Sequence, residues 1–272
     1  VMFPPALLKG DELYEHEASA PYDASRDLSK YLLMHYGSIE DVFHQSGHPL
    51  AMAHGYCQRL SDLLRSCAQR TGTTVARALD VGCSVGGVTH ALGAWVTDQV
   101  VGVDISRRSV EIAQALTHHG GGTFSVIEQG PFHREVSILV EPGDRARVAF
   151  EVGDANALRV GEQPFDAVVL SNVLDRVARP AACLEQFTGS TAILRTGGLL
   201  MVACPWSWYP EYSHPDEWLG SAATGTPSET ALKALLAGHF DLVAEVDEPG
   251  VLRQNPREYD YFESHVTVWR KR

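Results

Sequence analysis

The sequence predicts a doubly wound α/β fold, a mostly parallel sheet with helices on both faces. Three observations predict it. Arg77 to Gly87, RALDVGCSVGG, reads as a short apolar strand running into a glycine-rich turn and a helix start. A second apolar run (Val100, Val101, Val103) closes at Asp104, eighteen residues beyond Gly86. Short apolar runs then go on alternating with helical patterns, and strands that alternate with helices build a parallel sheet.

The elements follow in order. Residues 1 to about 25 carry Pro4, Pro5, Gly10 and Pro21 with few periodic apolar positions, which predicts an extended arm or lid. Asp27 to Tyr36 is a helix in which Leu28, Leu32 and Tyr36 step by four, as do Tyr31 and His35; Ser25 or Asp27 caps it. Ala51 to Cys67 is a second helix, with Ala53, Tyr56, Leu60, Leu63, Leu64 and Cys67 on one face. Residues 1–72 therefore form an N-terminal arm and helical cover, and 73–272 the ligand-binding domain. In that domain a strand at 77–81, a helix at 87–95, a strand at 99–103 and a helix at 106–118 come first. Phe124, Val126 and Ile127, then Val136, Ile138 and Val140, bracket a turn-rich QGPFHRE, so a β-hairpin is inserted near 123–140. Strands follow at 147–152 and 166–170. A helix over 179–194 has Pro180 in its first turn and stops at Gly197 and Gly198. A strand at 199–203 leads into a long aromatic loop, PWSWYPEYSHPDEWLGS, at 205–221. A helix at 229–236, a strand at 240–246 and an antiparallel last strand at 265–269 close the chain.

Composition narrows the function. With 272 residues, 44% hydrophobic and 21% charged, the chain is an ordinary globular protein of one large domain or one domain with a small addition. A formal net charge of −12 argues against nucleic acid, whose phosphates call for Lys and Arg, and favours a small-molecule partner. Five cysteines (Cys57, Cys67, Cys83, Cys183, Cys204) with no C-x-x-C pair fit a reduced, cytoplasmic setting. No apolar run is long enough to span a membrane, and the N-terminus lacks the pattern of a signal peptide. His44, His48 and His54 lie in HQSGHPLAMAH, where Gly47 and Pro49 interrupt any shared helical face, so no metal is expected. Oligomeric state is left open.

Ligands of a doubly wound sheet bind beyond the carboxyl ends of its strands, and Asp80, Asp104, Asp154 and Asn172 all fall at such ends. A dinucleotide site is the obvious rival reading. In G-x-G-x-x-G the glycines and a helix N-terminus hold a pyrophosphate, but here Ser84 replaces the second glycine. Asp80 also puts a negative charge on the turn, which repels phosphate and suits a cation. S-adenosylmethionine carries a sulfonium and an ammonium and no phosphate. The pattern thus resembles motif I of the class I S-adenosylmethionine-dependent methyltransferases, which implies a Rossmann-like sheet. That resemblance assigns Asp80, Gly82, Ser84 and Gly86 to the turn around the cofactor's amino-acid part. It assigns Asp104 to the ribose, Ile105 to the adenine face, Asp154 and Ala155 to the adenine edge, and Ser171 and Asn172 to the side of methyl transfer.

A narrower resemblance rests on SKYLLMHYG (29–37), ALDVGCSVGG (78–87), SNVLDRVARP (171–180), CPWSWYPEYSHPDEWLG (204–220) and HVTVWRKR (265–272). Together these stretches resemble the methyltransferase domain of the ovothiol-biosynthesis enzyme, which N-methylates 5-thiohistidine; none of them resembles the iron-dependent sulfur-transferring domain of that enzyme, so methylation alone is expected. The resemblance implies a 5-thiohistidine or 5-selenohistidine acceptor. For such an amino acid, Arg176 would pair with the carboxylate, and Asp175 or Asn172 would hold the ammonium or an imidazole N–H. Tyr14, Tyr31, His35 and Tyr36 from the cover, with Trp206, Trp208, Tyr212 and Trp218 from the aromatic loop, would wall the pocket. Asn172, Asp175 and Tyr36 are the expected catalytic set. Two alternatives stand beside this reading: another small amine, phenol or thiol acceptor, and a non-catalytic S-adenosylmethionine-binding protein.

Overall fold

A computed structural model of the chain describes residues 5–14, 23–45, 47–159, 161, 163–189 and 193–272. The elements before the central sheet are β1 (Ala6–Leu8), α1 (Ser25–Tyr36), α2 (Ile39–Val42) and α3 (Tyr56–Thr71). Next come β2 (Arg77–Val81), α4 (Gly87–Gly93), β3 (Gln99–Asp104), α5 (Arg107–His119), β4 (Gly121–Gln129) and β5 (Phe132–Leu139). The remainder is α6 (Pro142–Arg145), β6 (Val148–Val152), β7 (Phe165–Ser171), α7 (Pro180–Glu185), β8 (Leu194–Cys204), α8 (Ser228–Leu236), β9 (Phe240–Asn255) and β10 (Glu258–Lys271).

Seven strands form the central sheet in the order β6-β3-β2-β7-β8-β10-β9. The first five run parallel, while β10 lies antiparallel to both β8 and β9. Successive side chains of a strand point to opposite faces, and both faces here are covered. Leu79, Val81, Val101, Val168, Leu170, Leu200 and Val202 pack with Leu184 of α7 and with Leu232 and Leu236 of α8. Their neighbours Ala78, Val100, Val169 and Met201 pack with Leu60 and Leu64 of α3 and with Val88 and Leu92 of α4. A strand buried on both sides reads as a continuous apolar run, which is why RALDV and QVVGV are so compact. Each such Leu or Val contributes about 1.5–3 kcal/mol by leaving water.

The structure departs from the expected boundaries in four places. Residues 6–8 are a strand, not a free arm: β1 pairs parallel with β4, making a separate three-stranded sheet with the hairpin. The second cover helix starts at Tyr56 rather than Ala51, because Gly55 sits at φ 78° and parts it from a single 3-10 turn, Ala51–Ala53. The helix expected over 179–194 ends at Glu185, and Gly197 and Gly198 lie inside β8. Gly197 at φ 77° lets the strand shift register between Phe165↔Leu194 and Ala167↔Leu199, so these glycines shape a bulge instead of stopping a helix. The last two strands are far longer than expected, pairing from Phe240↔Lys271 out to Asn255↔Glu258. That hairpin carries its far end over the carboxyl edge of the sheet.

Candidate active site

The carboxyl ends of β2, β3, β6 and β7 open into a cavity of about 810 Å³. Asp80, the fourth residue of β2, is wholly buried in its floor. Thr89 Oγ1 donates to Asp80 Oδ2 at 2.6 Å, whereas Oδ1 has no partner. Burial pushes this carboxyl up to about 7, against the pull of the Thr89 bond. Gly82 follows at φ 76°, and a Cβ there would lie 2.6 Å from Val173 Cγ2, so the turn admits only glycine. Ser84 takes φ 49° and donates its N–H to Asp104 Oδ2 at 2.8 Å; Ser106 N–H meets Oδ1 at 2.8 Å. Asp104 is thus held rigidly at the rim, its carboxyl raised by burial and drawn back by those N–H groups. Ile105, beside it, is 64% exposed and lines the cavity. Asp154, Ala155, Ser171 and Asn172 line it as well, and Asp154 Oδ1 accepts Asn156 N–H at 2.8 Å.

The opposite wall is built from α1, α3, the loop after β8 and the β9–β10 hairpin. Arg176 enters the cavity with its guanidinium over the rings of Tyr209 (4.8 Å) and Tyr212 (5.3 Å). Its Nη1 donates to the Ser207 and Asp175 carbonyls, and Nη2 donates to Ser207 Oγ at 2.9 Å. Nε–H and the outer Nη2–H form the remaining edge of the guanidinium and have no partner among the described residues. Tyr31 and His35, one turn apart on α1, both face the cavity. His35 Nδ1 accepts Gly87 N–H at 2.9 Å, and burial lowers the ring to about 4, so it is neutral with its proton on Nε2. Burial raises Tyr31 to about 12.

Several expected residues stand elsewhere. Gly86 does not line the cavity; it sits at φ 95° where a Cβ would lie 2.6 Å from Phe150 Cζ, so it serves close packing. Tyr36 turns inward: its hydroxyl donates to Val85 O at 2.8 Å and lies 2.7 Å from His90 Nδ1, away from the cavity. Asp175 is wholly buried behind the wall, where Oδ2 accepts Ser207 N–H and Oγ–H at 3.0 Å each and pairs with Arg176 Nη1. It holds Arg176 and the loop and does not reach the cavity. Trp206, at φ 56°, packs among Trp208, His265 and the core. Trp218 stacks on Trp208, with Nε1 on Ser213 O at 3.2 Å. None of these three tryptophans lines the cavity. The Tyr14 side chain lies outside the described residues.

Other wall residues were not expected. Tyr56, Ser207, Tyr209, Tyr261, Phe262 and Glu263 all line the cavity. Asn255-Pro256, a turn-forming dipeptide, was the signal for a hairpin carrying the last three. Gly250 makes room for Phe262, whose Cζ lies 2.2 Å from where a Cβ would stand. Of the loop histidines, His54 Nε2 contacts Gly37 O at 2.9 Å and His48 stacks on Phe43. No group of His, Cys, Asp or Glu among the described residues could hold a metal ion. All five cysteines are buried and unpaired, and no helix among the described residues is long and apolar enough to cross a membrane.

Residues 52–235 match a family described as a methyltransferase domain. The chain belongs to that family; it is a methyltransferase, of the S-adenosylmethionine-dependent kind. No curated protein matches it significantly. Among solved structures, it is similar to the [4+2]-cyclase SpnF, at 18% identity and TM-score 0.52, over 91% of this chain and 96% of that one. It is also similar to the N-methyltransferase NodS from Bradyrhizobium japonicum WM9, in complex with S-adenosyl-L-homocysteine. There the identity is 14% and the TM-score 0.49, over 88% of this chain and 98% of the other.

Proposed function

We propose that this methyltransferase acts on an imidazole nitrogen of a chalcogen-substituted histidine, 5-thiohistidine or 5-selenohistidine, as in ovothiol- or ovoselenol-type biosynthesis. The observation that carries the reading is Arg176. A guanidinium lines the cavity with its Nε–Nη2 edge unpartnered while its other edge is fixed by Ser207. That edge matches a carboxylate bidentately, which is what the α-carboxylate of an amino-acid acceptor requires. Glu263 and Asp260 line the same cavity and suit an ammonium. The narrow resemblance of the SNVLDRVARP and WSWYPEY stretches to the thiohistidine-methylating domain points the same way.

The floor fits the methyl donor. Asp80 Oδ1, buried without a partner, suits a cationic amino-acid head. Asp104 keeps spare lone pairs for ribose hydroxyls, and exposed Ile105 offers an apolar face to adenine. Asp154 and the Ala155 backbone would meet the adenine edge. Held there, S-adenosylmethionine would supply a methyl carbon on a sulfonium sulfur, an electrophile open to an in-line nucleophile. The chain's own contribution is to position and to exclude water. Tyr31, Met34, Tyr56 and Phe262 wall the space, and neutral His35, its Nδ1 already accepting Gly87 N–H, takes no proton. The acceptor nitrogen therefore arrives with its lone pair free, as an imidazole does near neutral pH.

A mass-spectrometric turnover assay with histidine, 5-thiohistidine and 5-selenohistidine side by side tests the reading. Methylation of only the chalcogen-bearing substrates supports it. No product from any, with cofactor bound, reassigns the cavity to another small amine, phenol or thiol.

A further inference from the structure

Behind the cavity wall two hydroxyls meet one amide. Ser264 is wholly buried and Tyr56 is 1% exposed. Ser264 Oγ lies 2.7 Å from Asn172 Oδ1, and Tyr56 Oη lies 3.0 Å from Ser264 Oγ and 3.2 Å from Asn172 Oδ1. Each hydroxyl carries one proton, and a buried proton without an acceptor is costly. The contact between the two hydroxyls uses only one of their two protons. The other needs an acceptor. Ser171 also approaches the Tyr56 hydroxyl, but the shortest contact of the trio, 2.7 Å, joins Ser264 Oγ to the amide. Turned over, the amide would present NH₂ at that distance and take away the acceptor that Ser264 has in Oδ1. Its oxygen therefore faces Tyr56 and Ser264, and its nitrogen faces the other way. The backbone holds this pose: Asn172 sits at φ 53° just after β7 and donates its N–H to Ala203 O at 2.8 Å. Asn172 lines the cavity, and Nδ2 has no partner among the described residues.

We propose that Tyr56 and Ser264 are positioning residues that lock Asn172 as an N–H donor, and that Asn172 Nδ2 grips a lone-pair-bearing, anionic atom of the methyl acceptor. This replaces the expectation that Asn172 accepts from an ammonium or an imidazole N–H, since its oxygen is turned into the core. Two atoms of a chalcogen-substituted histidine have this chemistry, the chalcogenolate and the α-carboxylate. The acceptor's identity rests on the function proposed above; the orientation of the amide does not.

A neutron structure of the deuterated protein reads the orientation without any substrate. The expected result is a bare amide oxygen facing Ser264 and an ND₂ group facing the cavity; ND₂ against Ser264 overturns the proposal. The consequence is read with Asn172→Asp, Asn172→Ala and the shape-conserving Tyr56→Phe. All three should lower kcat/KM for the chalcogen substrate about tenfold or more while S-adenosylhomocysteine affinity holds; the melting temperature should hold in Tyr56→Phe, whereas Asn172→Ala strands a buried hydroxyl proton and should lower it. Wild-type kcat/KM in all three overturns it, and so does a loss in Tyr56→Phe that tracks unfolding. Calorimetry on the S-adenosylhomocysteine complex separates the two atoms. Loss of preference for 5-thiohistidine over histidine in Asn172→Ala assigns the chalcogen, and equal weakening of both assigns the carboxylate. A wild-type enzyme inert towards every chalcogen histidine would remove the proposed acceptor and leave the neutron result to decide the amide.

Discussion

Thr89 and Asp80 share a 2.6 Å hydrogen bond that leaves one oxygen of the carboxylate buried and unpartnered at the cavity floor. The arrangement separates the two oxygens by role. Oδ2 is tied to α4, so the carboxylate cannot swing; Oδ1 waits for a donor. A group in this state is half ionised near neutral pH, since burial has raised it to about 7, and a cationic ligand shifts it fully to the ionised form.

Cofactor affinity should therefore depend on pH. Ligand binding favours deprotonated Asp80, so each unit below pH 7 should weaken S-adenosylhomocysteine binding by up to about tenfold, with a plateau above pH 8. Asp80→Asn should bind more weakly at pH 8 and lose the slope. Calorimetric affinities at pH 6, 7 and 8 for both proteins check this. A slope that survives in Asp80→Asn would assign the titration to another group.

Asp104 makes a separate prediction. Its two oxygens order the turn through Ser84 N–H and Ser106 N–H, and the same carboxylate faces the cavity. Asp104→Ala should weaken cofactor binding roughly ten- to a hundredfold, the range of one hydrogen bond to a charged group. Unchanged calorimetric affinity would sink the assignment of Asp104 to the ribose.

The sheet and its ligand edge were legible in the sequence because both come from local signals. Strands covered on two faces must be apolar throughout, so β2, β3, β7 and the core of β8 announce themselves, and Asp80 near the end of β2, with Asp104 and Ser171 ending β3 and β7, marks the edge. What depends on distant packing was not legible. Trp206 and Tyr209 are three residues apart in one aromatic loop, yet the first packs against the core and the second lies under Arg176. Only the φ of 56° at Trp206 and the anchor of Asp175 on Ser207 decide which ring faces the cavity. Tyr56 fits its helix as one more core position, and its hydroxyl gains meaning only from Ser264, 208 residues on. Tyr36 shares α1 with Tyr31 and His35 but points to His90, because Tyr31 and His35 meet edge to face one turn apart on the cavity side and Tyr36 is rotated a hundred degrees or so beyond His35.

The buried histidines predict acid sensitivity. His90 is lowered to about 4 by burial and then by Arg145, and His35 to about 4 by burial and then by His90. An unfolded histidine titrates near ~6.5, so between pH 6.5 and 4 the unfolded chain binds protons that the folded chain refuses. Stability from these groups is full above pH 6.5 and falls as pH drops towards 4, by on the order of 3 kcal/mol per residue at most. Asp80 works in the opposite sense over the same interval, being raised on folding, so the wild-type curve shows the difference of the two. His90→Gln should show a shallower loss of urea midpoint between pH 7 and 5 than wild type. Parallel curves would mean that His90 is protonated in the folded protein.

Arg176 allows its binding and structural roles to be told apart. One edge of the guanidinium holds the loop through Ser207, and the charge offsets buried Asp175 at 3.0 Å. Removing the side chain would leave that carboxylate unpaired, so Arg176→Ala mixes a folding defect with any loss of substrate. Arg176→Lys keeps the charge beside Asp175 but loses the planar fork. If the free Nε–Nη2 edge receives the acceptor's carboxylate, Arg176→Lys should raise the acceptor's KM about tenfold or more. S-adenosylhomocysteine affinity should stay at the wild-type value, and so should hydrogen exchange of residues 205–212. An acceptor whose carboxylate is replaced by hydrogen should bind equally weakly to both proteins, because the edge then has nothing to grip. A raised KM for the decarboxylated acceptor as well would show that Arg176 acts by shaping the loop, with Tyr209 and Tyr212, and not by pairing with a carboxylate.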